Sequence, residues 1–287
     1  MSTASPAIHE AGQPEVPVIV LEPSRGYLHL KLREVWEYRE LLYFLTWRDV
    51  KVRYRQTAIG AAWVVIQPLM TMLVFTVLFG RLAKMPSDGL PYPIFAFAGL
   101  LPWQLFSSAL TGAANSLVGN QNLIAKVYFP RLIIPLSGIL GSLVDFAVSF
   151  AILLVLMAYY RIWPTAAVWA LPLFILLAMT TALAVGLWSA ALNVKYRDVR
   201  HIIGFVVQFW MYATPVAYPS SLIPEKWRVL MGLNPMSGVV EGFRWALLGG
   251  QPTYGPLLGV SIVAVLVLLI GGLIYFRRTE STFADII

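Results

Sequence analysis

The sequence predicts an all-α integral membrane protein. Six transmembrane helices follow an amino-terminal amphipathic interface helix, and two short re-entrant outer-face helices lie between spans five and six. Three observations predict this. Long apolar stretches take up most of the 287 residues. Hydrophobic residues make up 59% of the chain and its mean hydropathy is +0.73, well above a soluble domain. The cationic residues are spread unevenly over the segments that join the stretches.

A helix needs about 20 mostly apolar residues to cross about 30 Å of hydrocarbon. Stretches at about 60–79, 94–115, 132–160, 166–192, 199–216 and 256–276 are read as spans, the fifth reaching that length only if it begins near Val199. They place residues 57–287 in one transmembrane domain and leave no loop long enough for a soluble one. With the amino terminus inside, about fifteen of the 21 Lys and Arg residues fall on inside segments. That bias puts both termini in the cytoplasm. Residues 1–32 are rich in Pro, Glu and small residues. Their one apolar run, Val16–Leu21, is too short for the core of a signal peptide. They read as a flexible cytoplasmic arm.

Residues 33–56 read as the interface helix. At 100° per residue Arg33, Glu37, Glu40, Arg48, Lys51 and Arg55 share one arc, and Trp36, Tyr43, Trp47, Val50 and Tyr54 share its neighbour. Such a helix lies at the cytoplasmic surface with Trp and Tyr at headgroup depth. Phe44 in the polar arc, and Arg39, Asp49 and Arg53 outside it, point to a protein partner as well as lipid.

Several chemistries are excluded or disfavoured. With no cysteine there is no disulfide, thiolate metal site or thiol nucleophile, and no metal site is expected. No G-x-x-x-x-G-K-[ST] phosphate loop occurs. The net charge of +7 follows membrane topology, so no nucleic-acid partner is expected. Asp145 is the one clear carboxylate inside a span. One acid does not make a proton relay, and it reads as hydrogen-bonded to Ser142, Ser149 or another helix. His9, His29 and His201 are scattered, which counts against a membrane-embedded transferase.

Two aromatic rows stand out. Phe205, Gln208, Phe209 and Tyr212 share one helix face, and Trp63, Gln67 and Met70 form a weaker row. Such faces suit sugar rings, which stack on aromatics while their hydroxyls seek amide or phenol partners. They also suit plain lipid or core packing. Residues 217–251 are too polar to span and too long for a turn. Pro215, Pro219 and Pro224 break the segment early, Asn234–Pro235 marks a turn, and Glu241 and Arg244 sit at i, i+3. Two re-entrant helices fit it.

Five collinear runs resemble the permease subunits of ABC-2-type transporters, in the Wzm-like polysaccharide and O-antigen branch. They are LTWRDVKVRYRQTAIGAAWVVIQP (Leu45–Pro68), AGLLPWQLFSSAL (Ala98–Leu110), NQNLIAKVYFPRLIIPLSGIL (Asn120–Leu140), LNVKYRDVRHIIGFVVQFWMYATPVAYP (Leu192–Pro219) and LNPMSGVVEGFRWALLGG (Leu233–Gly250). The resemblance implies a homodimer carrying two ABC ATPase subunits, with ATP and Mg bound in those partners and no cofactor in this chain. It implies that the chain itself is not an enzyme. It implies a location in the bacterial inner membrane and a lipid-linked glycan as cargo.

The resemblance also assigns roles. The inside loop Gly119–Arg131 matches the coupling segment over Asn122, Leu123, Ile124, Lys126, Phe129, Pro130 and Arg131, with Asn120 and Asn122 as candidate caps. Tyr196, Arg197 and Asp198 are candidates for a secondary contact. Spans one and five would border the translocation path, which bears on both aromatic rows. Asn234, Pro235, Glu241 and Arg244 would belong to an outer gate. Arg48, Lys51, Arg53 and Arg55 are candidates to meet the lipid diphosphate by charge-assisted hydrogen bonds. The expected function is export of polyprenyl-diphosphate-linked polysaccharide, first of all O-antigen. Capsular polysaccharide and teichoic-acid polymer are alternative cargoes, and a secondary carrier or a transferase is the alternative class.

Overall fold

A computed structural model describes residues 32–55, 62–249, 255–280 and 283. The predicted arm falls outside these residues except for its last position, as does the expected start of span one at Gly60. Helices α1 (Leu32–Glu37) and α2 (Arg39–Arg55) come first. They are nearly continuous, because Tyr38 N–H donates to the Glu34 carbonyl and Leu42 N–H to that of Tyr38. Next come α3 (Ala62–Phe75), α4 (Tyr92–Gly119), α5 (Gln121–Lys126), α6 (Ile133–Tyr160), α7 (Leu171–Lys195), α8 (Val199–Tyr212), α9 (Glu225–Gly232), α10 (Pro235–Leu248) and α11 (Gly255–Glu280). A π-helical stretch, Thr76–Leu82, extends α3, and a 3₁₀ turn, Ala166–Ala170, leads into α7.

Five helices are long and apolar enough to cross a membrane: Ala62–Leu82, Tyr92–Gly119, Ile133–Tyr160, Ala166–Lys195 and Leu258–Glu280. The predicted fifth span, 199–216, is not a helix of that length. Its helix stops at Tyr212 after 14 residues, about 21 Å at 1.5 Å per residue. Residues 213–218 then turn. The apolar composition runs on to Val216, but Pro215 supplies no N–H, and the Pro215 and Val216 carbonyls bond to Arg244 and not to a continuing helix.

Helix α4 is the centre of the bundle. In its most apolar window 78% of residues are buried, against 11% for α3. It packs on α6, α7, α10, α3 and α8. Small residues permit the closest approach: a Cβ built on Gly138 would stand 2.8 Å from the Gly112 backbone, and one on Gly112 would stand 2.8 Å from the Gly138 carbonyl. These helices therefore touch backbone to backbone. Gly242 on α10 likewise leaves room for the Phe174 ring at the start of α7.

A second apolar cluster closes the opposite end of the bundle. There Leu45, Leu117, Ile124, Phe129, Ile133, Leu187, Phe276 and Phe283 meet. Helix α2 packs along α6. Val50 lies against Gly141, and one turn later Arg53 and Tyr54 reach Asp145. Its buried residues are Leu45 and Val50, while Trp36, Tyr43 and Trp47 from the predicted apolar arc are exposed. Val50 belongs to the same arc, so the arc is exposed along Trp36, Tyr43 and Trp47 and packed on α6 at Val50.

Replacing Gly138 with Leu should force α4 and α6 apart and destabilise the protein by about 1–3 kcal/mol, the usual range for overpacking. Thermal unfolding in detergent measures this. Gly119→Ala is the control, because a Cβ at Gly119 meets nothing within 4 Å.

Candidate functional site

Helix α5 sits at the α2 end of the bundle, on the pad formed by the second apolar cluster. Ile124 and Phe129 are part of that pad, with Phe129 only 4% exposed, and Leu123 packs against it. Asn122 and Lys126 face outward with Gln121, Ala125 and Val127. Tyr128, 67% exposed, is absent from the predicted site, because neither charge nor helical spacing marks it. A depression of about 220 Å³ is lined by Ile124 to Phe129 and Arg131. Arg131 turns inward and donates to the carbonyl of Glu280 at the end of α11.

Asn120 precedes α5, but its side chain does not cap it. Its amide donates to the Ser116 carbonyl (2.9 Å), and its oxygen accepts from Arg48 (2.6 Å). Asn122 is exposed within the helix and caps nothing among the described residues. Pro130 lies before α6, which begins at Ile133. Tyr196, Arg197 and Asp198 form the exposed link between α7 and α8. Asn193 holds this link to the α5 end of the bundle by donating to the Ala114 carbonyl at 3.0 Å and to the Asn115 side chain at 3.2 Å. Both candidate loops therefore share one end.

The four predicted entrance cations do not act as one set. Arg53 is paired with Asp145 of α6. Arg48 is paired with Asp49 at 2.7 Å as well as bound to Asn120. Lys51 and Arg55 have no acidic partner among the described residues. With Arg48, Phe44, Trp47 and Val52 they line an open groove of about 520 Å³. Tyr54 also donates to Asp145. Burial first, and then that bond, push the Tyr54 hydroxyl far above the usual tyrosine range, so it stays a donor at any physiological pH.

Trp63 and Gln67 of the predicted row line a cavity of about 560 Å³ bounded by α2, α3, α4 and α6. Met70, half-exposed, is not part of it. Asp145 lies in the cavity wall with Arg53 and Tyr54. Ser142 bonds to the Ile139 carbonyl and not to Asp145, so the partners of Asp145 come from α2. Phe205, Gln208, Phe209 and Tyr212 form an exposed face of α8, away from that cavity. The two rows are thus not brought together within one copy.

The predicted gate residues hold the far end of the bundle. Asn234 caps α10 by accepting from Met236 N–H (3.1 Å). It also accepts from the Trp210 indole (2.9 Å) and donates to Thr214 Oγ1 (3.0 Å). Pro235 takes the first helical position, where a missing N–H costs nothing. Arg244, 5% exposed, donates to the carbonyls of Pro215 (2.7 Å), Val216 (2.5 Å) and Phe95 (3.3 Å). Its guanidinium lies 3.7 Å from the centre of the Phe95 ring, with Glu241 3.4 Å away. Gly99 is open on this side because a Cβ there would collide with the guanidinium.

The fold is that of an integral membrane protein: a bundle of apolar helices, with a short helix mounted on an apolar pad at one end and a clamped helix at the other. The chain belongs to the ABC-2 type transporter family, which residues 40–248 match. It is 34% identical over 258 residues to the O-antigen export system permease protein RfbA of Myxococcus xanthus, covering 88% of this chain and 98% of that protein. It is 28% identical over 249 residues to the RfbA protein of Klebsiella pneumoniae, covering 86% and 95%. The polysialic acid transport protein KpsM of Escherichia coli is 22% identical over 240 residues, covering 81% and 91%.

Two predictions follow from this geometry. Arg244→Met should strand three buried carbonyls, each costing about 1–3 kcal/mol, and Arg244→Lys should rescue little because an ammonium lacks the planar fork. Yield of monodisperse protein reads both. Arg53→Asp should free α2 from α6 and expose it to limited proteolysis, and adding Asp145→Arg should restore protection. If the double variant is digested as fast as the single one, the pair does not hold α2.

Proposed function

We propose that the chain is the permease subunit of an ATP-driven exporter that moves a polyprenyl-diphosphate-linked polysaccharide, O-antigen first of all, across the bacterial inner membrane. The observation that carries this reading is the match to O-antigen permeases over almost their whole length. Another polysaccharide, such as a capsular one, is the second reading, favoured by the similarity to the polysialic acid transport protein KpsM.

In this reading two copies assemble with two ABC ATPase subunits, which bind ATP and Mg. Both termini are cytoplasmic, so the α5 end faces the ATPases. Helix α8 and the turn at residues 213–218 make the crossing that precedes α9 and α10, and these two helices sit in the outer leaflet without spanning it. The exposed faces of α3 and α8 support a shared path between copies, because an apolar face in one copy is met by lipid or by the other copy.

The ATPase contact falls on the outward residues of the coupling loop: Asn122, Lys126, Val127 and Tyr128, with Tyr196, Arg197 and Asp198 beside them. Ile124 and Phe129 support the loop from beneath. Phe129→Ala therefore tests packing, at about 3–5 kcal/mol for a buried Phe, whereas Lys126→Glu with Tyr128→Ala tests coupling. At the entrance, Lys51 and Arg55 remain available to a diphosphate, with Trp47 at headgroup depth.

The test is complementation. In a strain lacking its own O-antigen permease, this chain with its ATPase partner should restore surface polysaccharide. The Lys126→Glu/Tyr128→Ala variant should insert normally yet export about tenfold less, a loss of about 1.4 kcal/mol in coupling. Polysaccharide that reaches the surface without the ATPase would sink the reading.

A further inference from the structure

The cavity between α2, α3, α4 and α6 contains more uncommitted polar chemistry than helix packing needs. Gln67, Gln104, Ser107, Ser108 and Ser149 all line it, and none of these side chains bonds to another group among the described residues. Gln104 to Ser108 sit near the middle of Tyr92–Gly119, and Ser149 sits in the middle of Ile133–Tyr160. At that depth the bilayer offers no hydrogen-bond partner, and an unpaired amide or hydroxyl is costly. Helix hydroxyls outside the cavity are satisfied by a carbonyl one turn back, as in Thr76, Ser137, Thr180 and Thr181, and so is Ser142 in the cavity wall. These five are left for something that enters the cavity.

The charges in the wall say what kind of ligand fits. The Arg53 guanidinium is committed to Asp145, which also accepts from Tyr54. The wall therefore carries a neutralised pair and no free cation, which disfavours a phosphate. Two amides and three hydroxyls offer both donors and acceptors, and Trp63 adds an aromatic surface suited to the C–H face of a ring. The volume of about 560 Å³ falls within the range of small-molecule sites.

We propose that this cavity is a subsite for neutral polyhydroxylated rings, holding one or two sugar residues of the cargo beside the path. It rests on the polysaccharide reading above and adds α4 and α6 side chains that neither the sequence motifs nor the family match assigns. The diphosphate is excluded from it and stays at the Lys51 and Arg55 groove.

The test uses the absence of native cysteine. Ser108→Cys is placed in the full permease–ATPase complex in membrane vesicles and challenged with a small water-soluble maleimide. One set of vesicles comes from cells making the lipid-linked glycan, with ATP hydrolysis blocked by vanadate so that cargo stays engaged. A second set comes from cells unable to make the glycan, and a third receives the polyprenyl-diphosphate carrier without sugars. Labelling should be fast in the second and third sets and about tenfold slower in the first, the protection expected from roughly 1.4 kcal/mol of occupancy.

Equal rates in all three would make the cavity a water-filled crevice and overturn the proposal, as would no labelling in any of them. Protection by the carrier alone would assign the cavity to a headgroup and overturn it too. Surface glycan made by the unmodified complex is scored in parallel. Normal export with unchanged labelling removes the subsite alone, whereas no export removes the cargo reading beneath it.

Discussion

The enclosure of α4 is the constraint on which the other contacts depend. A helix crossing a bilayer satisfies its own backbone, so association rests on packing and on scarce polar contacts. The Gly112–Gly138 contact lets α4 and α6 meet without side chains between them. Asn193 then fastens α7 to the carboxy-terminal end of α4, and Arg244 fastens α10 to the amino-terminal end. Helices at the margin, α3 and α11, are largely unburied, with 11% and 17% of residues buried in their most apolar windows.

Helix α2 is attached at two heights. Near the α5 end Arg48 holds Asn120, the residue immediately before α5. About one and a half turns further on, Arg53 and Tyr54 hold Asp145 in the cavity wall. One helix thus touches both the segment proposed to face the ATPase and the cavity proposed to face the cargo. Ile124 and Phe129 join the same arrangement from below, since the pad beneath α5 includes Leu45 of α2.

Length and composition made the long helices legible, because about 20 apolar residues in a row have few other uses. The same logic carried the fifth helix too far, past Tyr212 to Val216. The composition stays apolar to Val216, but the helix ends at Tyr212 because a guanidinium 28 residues further along collects the carbonyls of Pro215 and Val216. Periodicity placed α2 as a helix but did not say which residues pack inward, since the Gly141 and Asp145 that Val50, Arg53 and Tyr54 meet lie about ninety residues away. The ABC-2 resemblance singled out the loop proposed for coupling, but a motif does not say which residues point outward. It could not separate Phe129, which props the loop, from Tyr128, which is presented by it. Asn120 looked like a cap by its position alone, and Arg48 had already engaged its oxygen.

Arg244 carries a consequence for how the protein is made. A guanidinium cannot rest alone in hydrocarbon at low cost, yet here it is buried among carbonyls of residues 95, 215 and 216. All three acceptors precede it in the chain, so a ribosome working from the amino terminus delivers them first. The start of α4 and the turn after α8 are already synthesised when this cation emerges, and it can pass directly to waiting acceptors. The order of synthesis thus matches the order in which the buried charge needs its neighbours, and α10 is the last piece to lock that end of the bundle before α11 follows.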